Sequence, residues 1–120
     1  IYTSGTTGQP KGVVVEHGAL ASYVVAKNKA FGVGDDARVL VASASSWDPS
    51  LGEIFATLVA GATICMGSRG AAVASLIPLL TRSRASHLLA TPALWNLAIA
   101  AGTVPSDVPD LRVLALGGAT

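Results

Sequence analysis

The feature that most constrains this chain is an alternation, from end to end, of short apolar runs with segments of helical spacing. Val13-Val14-Val15, Arg38 to Ala42, Thr63 to Met66, His87 to Ala90 and Leu111 to Leu116 read as strands. Between them the spacing predicts helices over Ala19 to Phe31, Pro49 to Ala60, Ala72 to Arg82 and Pro92 to Ala101. The second helix is the clearest. Leu51, Ile54, Phe55, Leu58 and Val59 fall at i, i+3, i+4, i+7 and i+8, and Gly61 stands where the helix should stop. The third carries Pro78, which should kink it. Strands that are apolar throughout are covered on both faces, and their alternation with helices builds βαβ units. The expected fold is α/β with a mostly parallel sheet, in one unit over residues 1–120. Ligands of such sheets bind beyond the carboxyl ends of the strands. Here that means the loops Ser43 to Asp48, Thr91-Pro92 and Gly117 to Thr120.

Charge is scarce, at 12% of residues against roughly 25% in an ordinary soluble domain. A membrane span is not the reason: the longest stretch without Asp, Glu, Lys or Arg, Ala85 to Ser106, is interrupted by His87, Pro92, Asn96 and Gly102. A piece of a larger protein keeps its buried elements and loses part of the polar shell, so a partial domain is expected. The net charge of +1 is too balanced for a nucleic-acid-binding face. Cys65 is the only cysteine, which excludes an internal disulfide and a cysteine zinc site and fits a reducing, cytoplasmic setting. His17 and His87 lack metal-ligand spacing; His17 reads as a capping or surface residue and His87 as structural, so no metal site is expected within the chain.

The segment Tyr2-Thr3-Ser4-Gly5-Thr6-Thr7-Gly8-Gln9-Pro10-Lys11-Gly12 has the composition of a phosphate cradle. Its glycines let backbone N–H groups converge on an anion, its Ser and Thr hydroxyls donate to phosphate oxygens, and Lys11 adds a point charge. It is not a Walker loop, because Pro10 precedes the lysine and Gly12 follows it. Thr3 to Gly12 resembles, without a gap, the signature loop of the adenylate-forming superfamily: acyl-CoA synthetases, luciferases and the adenylation domains of nonribosomal peptide synthetases. The resemblance implies that Thr3, Ser4, Gly5, Thr6, Thr7, Gly8 and Lys11 hold the β- and γ-phosphates of ATP. It also implies a place in the large N-terminal domain of such an enzyme.

Two further segments indicate the branch. Ser46-Trp47-Asp48-Pro49-Ser50 resembles the stretch of amino-acid-activating adenylation domains whose aspartate binds the substrate's α-ammonium group, and Asp48 holds that position. A buried carboxylate facing an ammonium gains a charge-assisted hydrogen bond. An Asp before Pro also reads as a helix N-cap, and Ser50 with Glu53 reads as a capping box. Trp47 stands where the family has Phe; it shapes the pocket entrance or packs in the core. Leu114 to Thr120 resembles the family strand and turn beside the adenine, with Gly117, Gly118 and Ala119 on the adenine side, although a strand ending in Gly-Gly is by itself a tight turn. By the same alignment Pro49, Gly52, Leu89, Leu114 and Leu116 line the pocket beside Asp48, which favours a hydrophobic amino acid because a polar side chain would leave buried groups unpaired.

The resemblance implies an ATP- and Mg²⁺-dependent reaction in which an amino-acid carboxylate attacks the α-phosphorus of ATP. The acyl group then passes to the phosphopantetheine thiol of a peptidyl carrier domain, with condensation domains in the same parent. The family's Mg²⁺-linked acidic residue, ribose-binding aspartate and C-terminal lysine would fall after Thr120, so the chain alone is expected to be inactive and poorly soluble. Two alternatives stand beside this: a carboxylate–CoA ligase of the same fold, and a non-catalytic remnant.

Overall fold

The structure, a computed structural model, describes residues 1–4, 8–68, 71–102 and 105–118, and the side chains of 71–74 and 105 are left aside. A two-stranded antiparallel ribbon comes first, from β1 (Tyr2–Thr3) and β2 (Lys11–Gly12), with Thr3 opposite Lys11 and Tyr2 opposite Gly12. Helix α1 (His17–Phe31) follows. Then come β3 (Arg38–Leu40), α2 (Asp48–Val59), β4 (Thr63–Cys65), α3 (Ala71–Ser83), β5 (His87–Ala90), α4 (Pro92–Ala100), a short 3-10 turn and β6 (Val113–Leu116).

The four later strands form one parallel sheet in the order β4-β3-β5-β6. From β3 the chain crosses through α2 to β4 at the edge, then returns through α3 past β3 to β5. Strand order therefore reverses between β3 and β5. The in-register pairs Leu40–Leu88, Leu88–Leu114 and Ala90–Leu116 share one face. That face packs with α3 and α4 into the main core, which holds Leu40, Cys65, Leu76, Leu79, Leu80, Leu88, Ala90 and Ala98. The other face carries Val39, His87, Leu89 and Ala115 beneath α1 and α2. The expected α/β fold with a mostly parallel sheet is what the chain adopts.

Two features differ from the pattern or refine it. The strand expected at Val13-Val14-Val15 is displaced to Lys11–Gly12. Val13 still exchanges backbone hydrogen bonds with Ile1 (2.7 and 3.1 Å), while Val14 stands 94% exposed. In α3 the backbone leaves helical geometry at Ser75 (φ −152°, ψ 46°), three residues before Pro78. The proline ring crowds the carbonyl one turn earlier, so the helix kinks there and then continues.

Polar groups fasten β3 and β5 to each other and to α1. The Arg38 N–H donates to Ser86 Oγ (2.8 Å), and Ser86 Oγ also meets His87 Nδ1 (2.8 Å). His87 Nε2 lies 3.0 Å from the Phe31 carbonyl at the end of α1. A carbonyl only accepts, so Nε2 carries the proton and Nδ1 accepts from the Ser86 hydroxyl. His87 is thus a buried structural histidine, as its sequence context suggested. The loop ends at the amino edge of the sheet are tied by exposed ion pairs, Arg112 to Asp36 (2.8 Å) and Arg84 to Asp110 (3.4 Å). The Ser86→Ala substitution removes the partner of the Arg38 amide and of His87 Nδ1. It should lower stability by about 1–3 kcal/mol in denaturant titration, whereas a change below about 0.5 kcal/mol would show that the contact is dispensable.

Candidate functional site

The carboxyl ends of the parallel strands all lie at one edge of the sheet; of the sequence-predicted site residues, Trp47 and Asp48 follow the loop after β3, and Gly117 and Gly118 follow β6. Asp48 begins α2, after the loop that leaves β3. Its neighbour Trp47 is the N-cap residue, in extended conformation with no capping bond from its side chain. Asp48 is therefore the first residue of the helix and not its cap, in a position where a carboxylate complements the positive end of the helix dipole. The proposed capping box does not form. Ser50 Oγ donates to the Trp47 carbonyl (2.6 Å), and Glu53 is directed elsewhere. Asp48 is also exposed, not buried, although Ser50 in the same turn is buried.

Thr91, after β5, is the N-cap of α4, and its Oγ1 accepts from the Leu94 amide (3.2 Å). Gly117 donates from its amide to the Ala90 carbonyl (3.0 Å), which brings the turn after β6 beside Thr91. Gly118 has φ +98°, and a Cβ there would lie 3.3 Å from Thr91 Cγ2. Only glycine holds that conformation and that proximity without strain. Gly117 and Gly118 are exposed, as backbone against which a flat base could lie. Ala119 lies outside the described residues.

Of the phosphate loop, Thr3, Ser4, Gly8 and Lys11 are described, and all are exposed. Pairing of Thr3 with Lys11 closes the loop as a hairpin and holds the lysine at its base, opposite Thr3. Gly8 has φ +79°. Gly5, Thr6 and Thr7, the middle of the cradle, lie outside the described residues. The described residues fit a polyphosphate: Lys11 is an exposed cation paired across the ribbon with Thr3, and Ser4 follows with a second exposed hydroxyl. Among the described residues, no group of three or more His, Cys, Asp or Glu side chains comes together as a metal site.

The expected pocket lining is divided by the strand register. Leu89 pairs with Ala115 on the α2 side, whereas Leu114 and Leu116 pair with Leu88 and Ala90 on the α3–α4 side. Period-two alternation sends neighbouring residues of a strand to opposite faces, so Leu114 and Leu116 do not join Leu89 in one wall. On the α2 side a cavity of about 30 Å³ is lined by Lys27, Phe31, Glu53, His87, Leu89 and Ala115, among others. Pro49 and Gly52 both lie on α2, Gly52 one turn beyond Asp48 and buried.

Sequence reasoning missed Glu53 and the α1 residues. Glu53 is 1% exposed, and its carboxylate accepts from both the amide (3.4 Å) and the hydroxyl (3.3 Å) of Ser43 in the loop after β3. Burial pushes its pKa up from 4.5 to about 7, against the opposing effects of the Ser43 hydrogen bonds and the Lys27 charge. The signal was a charged residue within the apolar spacing of α2. It was absorbed by the capping-box pattern, because sequence spacing does not reveal that Ser43 folds back over the helix.

The comparisons with known proteins bear on this arrangement. All of residues 1–120 match the family of AMP-binding enzymes. The chain belongs to that family. It is 41% identical over 118 residues to nonribosomal peptide synthetase atnA of Emericella nidulans, covering 98% of this chain and 2% of that protein. It is 45% identical over 119 residues to nonribosomal peptide synthetase 5 of Gibberella zeae, covering 99% and 1%. The chain thus spans a small part of these relatives. Among solved structures it resembles the nonribosomal peptide synthetase FmoA3 bound to AMPPNP, with TM-score 0.85, 28% identity and coverage of 99% of this chain and 13% of that one. It also resembles the Vibrio cholerae adenylation domain AlmE with glycyl-adenosine-5'-phosphate, with TM-score 0.82, 27% identity and coverage of 92% and 21%. A third likeness is to the o-succinylbenzoate coenzyme A synthetase of Bacillus subtilis with ATP and magnesium, with TM-score 0.80, 26% identity and coverage of 98% and 24%. The phosphate-loop match and the parallel sheet are thereby those of an AMP-binding enzyme. No helix among the described residues is long and apolar enough to cross a membrane.

Glu53 yields a pH prediction. Its folded pKa of about 7 exceeds the unfolded value of 4.5, so the native state binds the extra proton between those limits. Stability is full below pH 4.5, falls as pH rises toward about 7, and is then constant with respect to this group. Glu53→Gln in the family member that carries this chain should flatten that slope and raise relative stability at pH 8. An unchanged slope in pH-dependent denaturation would remove Glu53 as its source.

Proposed function

We propose that this chain is part of an adenylation domain that activates an α-amino acid as its adenylate and passes it to a carrier-domain thiol. The observation that carries the reading is Asp48, an exposed carboxylate at the first position of α2, beside the crevice where strand order reverses between β3 and β5. Crevices of that kind are where open parallel sheets bind ligands. A carboxylate there meets the α-ammonium of an amino acid and turns the substrate's own carboxylate toward the nucleotide. An acyl-CoA ligase has no ammonium to pair, so Asp48 favours amino-acid activation over that alternative. The likeness to relatives of peptide-synthetase type supports the same choice.

Each described residue has a part in the first half-reaction. Lys11 draws the β- and γ-phosphates to the hairpin, and the Thr3 and Ser4 hydroxyls add donors. Gly5, Thr6, Thr7 and Gly8 complete the cradle by the family pattern. Mg²⁺ would neutralise phosphate charge as the α-phosphorus is attacked and pyrophosphate leaves. Gly117, Gly118 and Ala119 would lie against the adenine. Trp47, half exposed, would shape the pocket entrance. Pro49 and Leu89 offer apolar contact to the stem of the substrate side chain, which is what remains of the expected hydrophobic lining. The acceptor in the second half-reaction is the phosphopantetheine arm of a peptidyl carrier domain, with condensation domains as further partners and a cytoplasmic setting. The Mg²⁺-linked acid, the ribose aspartate and the C-terminal lysine belong to other segments of the family pattern, so these 120 residues alone should form no adenylate.

Two substitutions in the complete adenylation domain test the roles. Lys11→Ala should slow ATP–pyrophosphate exchange by about 10²-fold, the scale of losing one electrostatic stabiliser, and leave the ranking of amino acids unchanged. Asp48→Ala should raise KM for the amino acid substrate far more than for its deaminated carboxylic acid. Equal losses for both compounds would assign Asp48 to helix stabilisation alone.

A further inference from the structure

The loop that leads to Asp48 is tied back to the helix it starts. Ser50 and Glu53 stand three residues apart on α2, as neighbours on one face, and each is 1% exposed. At the beginning of the loop, the Glu53 carboxylate accepts from the Ser43 amide (3.4 Å) and the Ser43 hydroxyl (3.3 Å). At its end, Ser50 Oγ donates to the Trp47 carbonyl (2.6 Å). Between these points the Trp47 amide donates to the Ala44 carbonyl (2.8 Å), which folds the loop into a turn. Asp48 follows Trp47 directly and is exposed. Its placement therefore depends on a loop whose two ends are gripped by buried side chains of α2.

The charge on Glu53 is costly where it stands. Burial pushes its pKa up to about 7, while the Ser43 bonds pull the other way. Bonds that lower a pKa are stronger to the ionised form. By linkage, the hold on Ser43 tightens as pH rises through about 7, although ionisation costs the fold as a whole some stability. The titratable groups around Glu53 are few. From α1, Lys27 lines the same cavity and Tyr23 packs against the adjacent Gly52. From β5 comes His87, with both ring nitrogens engaged by Ser86 and Phe31. The cavity residues from β3 and β6, Val39 and Ala115, are apolar.

We propose that Glu53 is a positioning residue for amino-acid activation: by holding Ser43, it fixes the loop that sets Asp48 against the substrate's α-ammonium. Recognition of the ammonium then strengthens as Glu53 ionises. This rests on the amino-acid-activating reading and adds to it a buried group that acts only through Asp48.

The test is ATP–pyrophosphate exchange by the complete adenylation domain. The proteinogenic L-amino acids are screened, and the one exchanged fastest is compared with its deaminated carboxylic acid. In the wild type, KM for the amino acid should fall as pH rises through about 7. Glu53→Gln carries no charge and does not titrate, so that step should vanish. At about pH 8 it should raise KM for the amino acid by about tenfold, within the ~10²-fold cost of a small misplacement. The kcat/KM for the deaminated acid should stay within about twofold, the usual scale of uncoupled sites. Ser43→Ala, a small change on the other side of the same contact, should raise KM in the same direction. In an Asp48→Ala background, Glu53→Gln should add nothing further. A merely structural role would weaken amino acid and plain acid alike, or add to the loss in Asp48→Ala, and either result overturns the proposal. A pH step that persists in Glu53→Gln belongs to another group, such as His87, and overturns it too. If Glu53→Gln is silent while Asp48→Ala still weakens the amino acid selectively, positioning by Glu53 falls and amino-acid activation stands. If Asp48→Ala weakens both compounds equally, or plain acids exchange and no amino acid does, the underlying reading falls as well.

Discussion

Parallel pairing of β4-β3-β5-β6 is the constraint on which the rest of the structure depends. Two parallel neighbours cannot be joined by a tight turn, so each pair requires a helix laid across a face of the sheet. The helices bury both faces, which is why the strands are apolar throughout and why so little charge is left in the sequence. The same constraint collects every strand's carboxyl end at one edge. There the Gly117-Gly118 turn lies beside the Thr91 cap, and the loop that leaves β3 leads into α2. The position of Asp48 follows from the pairing of β3 with both of its neighbours.

The two sides of the sheet are built differently. The α3–α4 side is a plain apolar core around Leu40, Leu80 and Leu88. The α1–α2 side is laced with polar groups: Glu53 to Ser43, His87 to Ser86 and Phe31, and Asn28 Nδ2 to the Ala56 carbonyl (2.9 Å). Buried polar groups are tolerated where their partners are present, as at Glu53 and His87, and they fix geometry more tightly than apolar contacts do. The side with directional bonds is the side that carries Asp48, Gly52 and Leu89. Both ends of the Ser43–Asp48 loop are consequently held, one by Glu53 and the other by the first turn of α2.

Much of this was legible in the sequence because apolar spacing reports burial directly. The runs at His87 to Ala90 and Pro92 onward appear as β5 and α4 with their starts unchanged. Gly61, expected to stop α2, has φ +68° just after the helix. The family showed in the order of residues Thr3 to Gly12, and the match of residues 1–120 to AMP-binding enzymes agrees with it. The rest was not, for three physical reasons. Val13-Val14-Val15 has the composition of a strand, yet a strand exists only where a partner pairs with it. Leu114 and Leu116 were grouped with Leu89 because alignment gives position along a strand but not register across strands, which decides the face. Glu53 was read as part of a capping box in its own helix, whereas its partner, Ser43, comes from elsewhere in the chain.

The central claim is that the carboxylate at the start of α2 selects an amino acid and not a plain acid. The most direct measurement compares an L-α-amino acid with its deaminated carboxylic acid in ATP–pyrophosphate exchange by the complete wild-type domain. The account predicts exchange with the amino acid and a kcat/KM at least about tenfold lower without the ammonium, the scale of one lost charge-assisted hydrogen bond. Equal exchange with both compounds, or exchange with the carboxylic acid alone, would contradict it.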